Sequence, residues 1–312
     1  MLDANLSTKL DATWGDPKTW VANGQQWTHL DEIQRLINRR VSGDPDISRL
    51  AWFGKYLANA GSLPLRRVLV LGCGAGHLER ELHDLGWARE IVALDLSPKV
   101  LDFARKSAAG KYSINYVLAS MDDMPVDQAP FLPGSFDVVL GVSSVHHCSQ
   151  LAQLYAAVVK LLTPDGWFYL DEYVGPNQFQ YSNRHLEQLR ALADLLPDRL
   201  LTTQNGLVKK GFRAPTVAEV VAVDPSEAVC SSRILPLLPD YFDVIAQRPY
   251  GGSLLHVLLA DTAQNFQASN AKPWLHALLD AEDDLDRLGQ LEHHFSCVIA
   301  RQHPVPRHQA SF

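Results

Sequence analysis

A glycine-rich turn and an acidic residue at the end of the next apolar run have the types and spacing to hold a nucleoside. The run Val68–Leu71 leads into Gly72-Cys73-Gly74-Ala75-Gly76, and the run Ile91–Leu94 ends at Asp95. Glycines allow a sharp turn and the close approach of a ligand to the backbone. A carboxylate at a strand end can accept both hydroxyls of a ribose. The loop and the acid therefore predict a ligand that contains a nucleoside.

The spacing of the glycines separates two classes of ligand. Dinucleotide-binding turns follow G-x-G-x-x-G/A, in which the third small residue lets the helix and strand pack closely. Here Gly76 comes one residue early, and His77 occupies the position of that small residue. A ligand without phosphates, whose amino-acid groups lie along the loop, fits this turn better than a pyrophosphate does. Asp95 has an alternative role as a cap of the helix that begins at Ser97-Pro98, but Ser97 alone can supply that cap.

Two adjacent histidines are the first candidates for catalysis. His146 and His147 follow the apolar run Phe136–Val142, at the point where ligands of a parallel sheet bind. An imidazole titrates near neutral pH, so it can act as a base or orient a nucleophile. The alternative is that both histidines cap or pack beneath the helix that follows.

A second group of candidates comes from the ends of two later runs. Glu172 could accept a proton or hold an amine, and Tyr173 could orient the substrate. The alternative is that one carboxylate, Asp171 or Glu172, pairs with an arginine such as Arg184. Tyr250 precedes two glycines, which let the backbone pass close to a ligand, and would reach inward from there.

Several residues outside the sheet pattern are candidates to close the pocket from above. They are the segment 224–227 (Asp-Pro-Ser-Glu) and the N-terminal Trp20, Trp27 and His29. Tryptophans in amphipathic helices are more typical of a core than of a ligand cage.

Neither the cysteines nor the C-terminal histidines predict a metal site. Cys73, Cys148, Cys230 and Cys297 are scattered, without a C-x-x-C pair. The group Glu292, His293, His294, His303 and His308 lacks H-x-x-x-H spacing, and adjacent histidines on a helix diverge. The acidic stretch Asp280–Asp286 is more typical of a solvated helix face. We expect no metal.

Apolar runs alternate with helical stretches from Arg67 onward, which is typical of a parallel sheet buried on both faces. The predicted strands are 68–71, 90–95, 114–118, 136–142, 167–172, 242–248 and 295–301. The predicted helices are 31–40, 47–60, 78–85, 98–109, 151–162, 182–196, 254–266 and 274–294. A turn is predicted at 163–166.

In these motifs the chain resembles the class I S-adenosylmethionine-dependent methyltransferases. Val68–Gly76 looks like the first motif of that family, and Asp95 looks like its ribose-binding acid. Ser120–Pro125 corresponds to the adenine segment, Phe136–Val142 to the fourth strand and Leu161–Trp167 to the approach to strand five. The resemblance implies a seven-stranded, mostly parallel, doubly wound α/β sheet of the Rossmann-like type, with an antiparallel final strand.

The resemblance also implies site residues, with one departure. The adenine-contacting aspartate of the family falls on Ser120 here, so that either Ser120 or Asp122 makes this contact. A histidine after strand four often faces the cavity in the family, and His147 matches it best. The expected cofactor-binding residues are Gly72, Cys73, Gly74, Gly76, Asp95, Leu96, Ser120, Met121, Asp122 and Val142. The expected catalytic residues are His147, Glu172, Tyr173 and Tyr250.

We therefore expect an S-adenosylmethionine-dependent methyltransferase that acts at oxygen, nitrogen or carbon of a small molecule, as in secondary metabolism. The alternatives are a non-methylating catalyst or a regulatory module that binds the same nucleoside, and a nicotinamide-dependent oxidoreductase. The expected organisation is an N-terminal helical lid (1–65), a cofactor-binding core (66–175), a lid insertion (176–240) and a C-terminal completion of the sheet (241–312).

Charge and composition limit the classes of binding partner that the chain is expected to have. The formal net charge of −7 and the short basic clusters do not favour nucleic acid, because phosphate binding needs a basic surface. Neither an apolar leader nor a run of membrane-spanning length is present in the sequence, and we expect a cytoplasmic protein with no membrane partner. The oligomeric state stays open, with a homodimer as one option.

Overall fold

A seven-stranded sheet organises the computed structural model, which describes residues 4–16 and 26–303. The strands are β1 (Leu65–Leu71), β2 (Ala88–Asp95), β3 (Ile114–Leu118), β4 (Phe136–Val142), β5 (Leu162–Tyr173), β6 (Phe242–Gly252) and β7 (His293–Gln302). Their order is β3-β2-β1-β4-β5-β7-β6, and β7 runs antiparallel to both of its neighbours while the β1–β5 pairs are parallel. The expected fold class and the antiparallel final strand are confirmed.

Helices cover both faces of this sheet. They are α1 (Ala4–Thr13), α2 (Asp31–Ser42), α3 (Arg49–Asn59), α4 (His77–Asp84), α5 (Pro98–Ala108), α6 (Leu151–Leu161), α7 (Asn183–Asp194), α8 (Asp198–Leu201), α9 (Val217–Val223), α10 (Ile234–Leu237), α11 (Leu255–Leu259) and α12 (Lys272–Arg287). Val68 and Val70 of β1 belong to one buried apolar cluster, whereas Leu69 and Leu71 belong to the other. Strand side chains alternate between faces, so β1 needs apolar residues at every position of its buried part, Val68–Leu71.

The local sequence determines where the helices beside the site begin. Ser97 precedes α5, and its hydroxyl accepts a hydrogen bond from the backbone N–H of Val100, 3.2 Å away. Pro98 occupies the first turn, where its missing N–H costs nothing. Gly76 precedes α4 with a φ of 75°. Both helices thus start directly after the carboxyl ends of β1 and β2.

Three predicted elements differ from the structure. The helix predicted over 254–266 is broken: α11 ends at Leu259, Asp261 has a φ of 63°, and a separate 3-10 turn covers Ala263–Phe266. The turn predicted at 163–166 is an irregular bulge within β5, because Leu162 lies opposite Phe136 while Trp167 lies opposite Val138.

The third difference changes the environment of the C-terminal histidines. The helix predicted over 274–294 ends at Arg287, and Gly289 follows with a φ of 65°. His293 and His294 therefore lie on β7 rather than on a helix. The argument that they diverge on a helix was wrong. Trp20 and His308 lie outside the described residues.

The N-terminal helices and the stretch 176–240 pack on different parts of the sheet and its helices. α2 packs on β6, and α1 packs on α5 beside the carboxyl end of β2. The stretch 176–240 contributes α7 to α10 and the loop after α9. Among residues 4–16 and 26–303, no helix has the length and apolar character needed to cross a bilayer.

Candidate functional site

A cavity of about 1050 Å³ lies at the carboxyl ends of the parallel strands. Its walls come from the glycine loop after β1, the acid at the end of β2 and the polar residues after β4. α1 and the loop after α9 also line it. One continuous space therefore joins the nucleoside half and the candidate catalytic half of the site.

The three glycines of the loop are needed for different structural reasons. A Cβ on Gly72 would lie 2.5 Å from the Cβ of Ser144, and one on Gly76 would lie 2.3 Å from the hydroxyl of Tyr116. A Cβ on Gly74 would meet no atom of the described residues within 4 Å, although its φ of 50° is in the left-handed region. Gly74 also lines the cavity. Gly72 and Gly76 are thus required for packing, and Gly74 leaves open the space that a ligand would fill.

Asp95 joins the glycine loop to the start of α5. One carboxylate oxygen accepts a hydrogen bond from the N–H of Gly74 at 2.9 Å, and the other accepts from the N–H of Ser97 at 2.9 Å. Burial raises the pKa of Asp95, and hydrogen bonds from the backbone of Ser97, Gly74 and Leu96 oppose this effect. Each oxygen keeps a second lone pair, and Asp95 faces the cavity. The residue can therefore stabilise the loop and still accept two ribose hydroxyls.

Of the two candidates for the adenine contact, Ser120 has fewer hydrogen bonds within the protein: its hydroxyl accepts one, from the N–H of Asp122 at 3.1 Å. The oxygens of Asp122 accept from the backbone N–H of Ser149 (2.8 Å) and of Gln150 (3.0 Å), so that Asp122 caps α6. Ser120 and Met121 line the cavity. This favours Ser120 over Asp122 for the adenine contact.

The predicted cofactor residues divide into two groups. Those that line the cavity are Gly72, Gly74, Asp95, Leu96, Ser120, Met121 and Asp122. Cys73, Gly76 and Val142 support the loop and strand beside the cavity without lining it. Cys73 is buried, and its N–H donates to the carbonyl of Leu94, so its role is to fix the loop on β2.

Glu172 acts on the histidine turn rather than on a ligand. It is fully buried, and one oxygen accepts from the backbone N–H groups of Ser144 (2.6 Å) and Val145 (2.7 Å). The other oxygen lies 2.7 Å from Nδ1 of His146. Burial alone would lower the pKa of His146, but the Glu172 carboxylate outweighs it and raises that pKa. Glu172 therefore lies behind His146 and does not line the cavity, whereas we expected it to meet the acceptor.

His147 and three residues of the loop after α9 form the other side of the cavity. Nδ1 of His147 lies 3.1 Å from the hydroxyl of Ser226 and 3.5 Å from a carboxylate oxygen of Asp224. Burial, and then the charge of His146, lower the pKa of His147. Burial raises the pKa of Glu227, which also lines the cavity. We call His146, His147 and Glu227 the polar cluster.

The two tyrosines predicted to be catalytic present their rings to the cavity and use their hydroxyls elsewhere. Tyr250 donates to Asp171 at 2.7 Å, and the same carboxylate pairs with Arg49 at 2.6 Å. Tyr173 donates to the carbonyl of Pro176 at 3.1 Å. Asp171 is thus paired with Arg49 of α3 and not with Arg184, and both tyrosines shape the wall of the cavity.

The first helix closes the cavity from above. The hydroxyl of Ser7 donates to the carbonyl of Leu96 at 3.1 Å, beside Asp95. The indole N–H of Trp14 donates to Asp224 at 2.6 Å, beside His147. Trp27 also lines the cavity. Trp14 and Trp27 thus line the cavity, and Trp27 also belongs to the buried apolar cluster that contains Trp52.

Sequence reasoning missed Arg49 and the chemistry of Glu227. Arg49 stands in an amphipathic helix far along the chain from Asp171, and nothing local signals the pairing. Glu227 was assigned only to the cover of the pocket, since its segment lacks a periodic pattern. The acidic Asp-Pro-Ser-Glu composition is the one signal that could have indicated more.

The strand order, the glycine loop after β1 and the acid after β2 define a class I S-adenosylmethionine-dependent methyltransferase domain. Residues 69–170 match the family described as a methyltransferase domain. The predicted class of this domain, with S-adenosylmethionine as its cofactor, is confirmed.

Relatives extend the likeness over half of the chain. A ubiquinone biosynthesis O-methyltransferase of Xanthomonas campestris pv. campestris is 31% identical over 160 residues, which are 50% of this chain and 64% of that protein. A malonyl-[acyl-carrier protein] O-methyltransferase of Legionella pneumophila is 32% identical over 153 residues, 49% of each chain. The chain thus matches less than two thirds of the length of these relatives.

A solved structure is similar in fold. Phosphoethanolamine N-methyltransferase 2 of Haemonchus contortus, in complex with phosphomonomethylethanolamine and S-adenosylhomocysteine, superposes with a TM-score of 0.51 at 15% identity. The likeness covers 95% of this chain and 60% of that one.

Proposed function

We propose that this protein is an S-adenosylmethionine-dependent O-methyltransferase that acts on a small hydroxylated molecule. The observation that carries the proposal is the single cavity in which the glycine loop and Asp95 face the same space as the polar cluster. The names of the relatives, both O-methyltransferases, support oxygen as the methylated atom. The alignments cover only part of those proteins, and the residues that line the cavity support the proposed class of acceptor.

The residues at the nucleoside half fit the cofactor. Gly74 leaves room beside the backbone, and Asp95 keeps one lone pair on each oxygen for the ribose hydroxyls. When bound, S-adenosylmethionine supplies a methyl group on a positively charged sulfur. The chain then has to orient the acceptor, exclude water and manage one proton.

The acceptor half supplies these functions. The rings of Trp27, Tyr250 and Phe295 form an apolar wall, which suits a flat acceptor body. An acceptor hydroxyl loses its proton during O-methylation, and the polar cluster is a group of side chains in the cavity that can take or hold that proton. Glu172 and Asp224 keep the two imidazoles in place from behind.

Transfer of labelled methyl groups tests the proposal. The protein is incubated with methyl-labelled S-adenosylmethionine and a panel of small phenols, each paired with the aniline of the same skeleton. We expect labelled methyl ethers, and a loss of about 100- to 10,000-fold in rate for His147→Asn. The same substitution at the exposed His303, outside the cavity, should leave the rate unchanged.

Three results would contradict the proposal. Transfer to anilines alone would remove oxygen as the target. Binding of S-adenosylhomocysteine without transfer to any member of the panel would favour a regulatory module or a non-methylating catalyst. Binding of NAD with S-adenosylhomocysteine ignored would favour an oxidoreductase.

A further inference from the structure

The polar cluster has the composition of a metal site. His146, His147 and Glu227 each offer a ligand atom, and these atoms all lie within 4.8 Å of one another. We propose that the polar cluster binds a divalent first-row transition-metal ion through Nε2 of both histidines and the Glu227 carboxylate. This goes against our expectation of no metal, which considered the C-terminal histidines and not the pair after β4.

The distances leave space for an ion between the ligands. Nε2 of His146 lies 3.7 Å from one oxygen of Glu227, and Nε2 of His147 lies 3.9 Å from the other. Neither distance is a hydrogen bond. Two ligands that each lie about 2.1 Å from an ion in tetrahedral geometry are roughly 3.4 Å apart. The two histidine–Glu227 distances exceed this value by only a few tenths of an ångström, and the separation of the two histidine ligand atoms is at most 4.8 Å.

Both imidazoles also have the outer partners that metal-binding histidines use. Nδ1 of His146 lies 2.7 Å from Glu172, and Nδ1 of His147 lies 3.1 Å from Ser226 and 3.5 Å from Asp224. A ligating histidine almost always donates its second N–H to a carboxylate, carbonyl or water, which fixes the tautomer. Here that arrangement directs the Nε2 lone pairs of both rings toward Glu227.

The charge around the cluster favours a cation. Three carboxylates converge on the two imidazoles, and the side chains of Glu172, Asp224 and Glu227 are 0%, 2% and 18% exposed. Within residues 4–16 and 26–303, their ion-pair partners are the two histidines alone. Buried carboxylates are costly without compensating positive charge, and a divalent ion supplies two such charges at the centre of the group.

The ligand set indicates the kind of ion. Two imidazoles and one carboxylate suit Zn²⁺, Fe²⁺ or Co²⁺, whereas Mg²⁺ and Ca²⁺ prefer oxygen ligands alone. Three protein ligands leave at least one position open to the cavity, as in catalytic zinc sites. The ion's role there rests on the proposed function. With the ion bound, an acceptor hydroxyl would ligate it and lose its proton to solvent rather than to the polar cluster. The resulting oxygen anion would form a bond to the methyl carbon while the carbon–sulfur bond of S-adenosylmethionine breaks, and the electron pair of that bond would leave on the sulfur of S-adenosylhomocysteine.

Metal binding by the full chain tests the site without any need for activity. The protein is stripped with a chelator and titrated with Zn²⁺ by calorimetry and with Co²⁺ by visible absorption. We expect one ion per chain, and at least about 100-fold weaker binding for Glu227→Gln, beyond what an outer-shell change costs. His147→Asn is the second variant, and circular dichroism checks that both fold.

The matched control is Glu292→Gln, the same substitution in the other group with ligand geometry, His185, Glu292 and His294. It should bind the ion as the unchanged protein does. Absence of Zn²⁺ and Co²⁺ binding, or binding that Glu292→Gln abolishes and Glu227→Gln leaves intact, would overturn the proposal.

The proposed metal site and the proposed methyltransferase activity can be refuted independently of each other. Methyl transfer by a chelator-treated protein that binds no ion would refute the metal and leave the proposed function standing. Stoichiometric ion binding at Glu227 without methyl transfer to the panel would do the reverse.

Discussion

The burial of Glu79 predicts that the free energy of unfolding falls as the pH rises. Glu79 lies on α4, directly after the glycine loop, with 0% exposure, and neither carboxyl oxygen has a hydrogen-bond partner within the described residues. Burial raises its pKa from 4.5 to about 8. The folded state therefore holds a proton that the unfolded chain has released across this interval. The contribution is fully present below the unfolded pKa and is lost as the pH rises through about 8.

The magnitude follows from the two pKa values. One pKa unit corresponds to about 1.4 kcal/mol, so ionisation of Glu79 in the unfolded chain costs the fold about 1 kcal/mol near pH 5 and about 3 kcal/mol near pH 7. Glu79→Gln removes this term. The cost of burying an amide does not depend on pH and cancels between the two conditions. The advantage of the variant should thus grow by roughly 2 kcal/mol, or about 3 °C in Tm for a chain of 312 residues.

Thermal unfolding by circular dichroism at several pH values, for the unchanged protein and the variant, measures this difference. Glu81→Gln is the matched control, because Glu81 is exposed on the same helix. A difference between Glu79→Gln and the unchanged protein that stays constant with pH would refute the reasoning. It would mean that the folded protein stabilises the ionised carboxylate of Glu79 as well as water does.

Two further predictions concern the nucleoside half. Asp95→Asn should weaken S-adenosylhomocysteine binding by about 1.5–3 kcal/mol, roughly 10- to 150-fold, in calorimetry, and unchanged affinity would remove the ribose assignment. Gly76→Ala should lower the free energy of unfolding by roughly 1–3 kcal/mol, because its Cβ would lie 2.3 Å from the hydroxyl of Tyr116 and its φ is positive. Gly74→Ala should destabilise less in the same denaturant titration, since its Cβ meets open space, but should lose more cofactor affinity; the opposite ranking would contradict the assigned roles.

The sheet was predictable because its strands are short apolar runs bounded by turn residues, and the parallel core buries both faces of each. The nucleoside half was predictable for a related reason: the loop and Asp95 are close in sequence to the strands that position them. The break at Asp261 was not predictable from periodicity, because the apolar spacing of 254–266 continues across it. His293 and His294 were misplaced because an amphipathic pattern extends past Gly289.

The catalytic half depends on contacts that no local pattern encodes. Glu172 was expected to meet the acceptor, but its burial behind His146 follows from packing between β5 and the turn after β4. Asp171 found its partner in Arg49, 122 positions away along the chain. Glu227 meets the two histidines through a loop without regular structure. Such convergence is visible only in three dimensions.

The first helix and Trp14, which follows it, contact both halves of the cavity. Ser7 holds the helix beside Asp95, and Trp14 holds it to Asp224 beside His147. A ligand that stabilises the docked helix at one end therefore favours docking at the other. By thermodynamic linkage, we therefore expect the cofactor and the proposed acceptor to raise each other's affinity by one common factor. Departure of either product accordingly loosens the hold on the other.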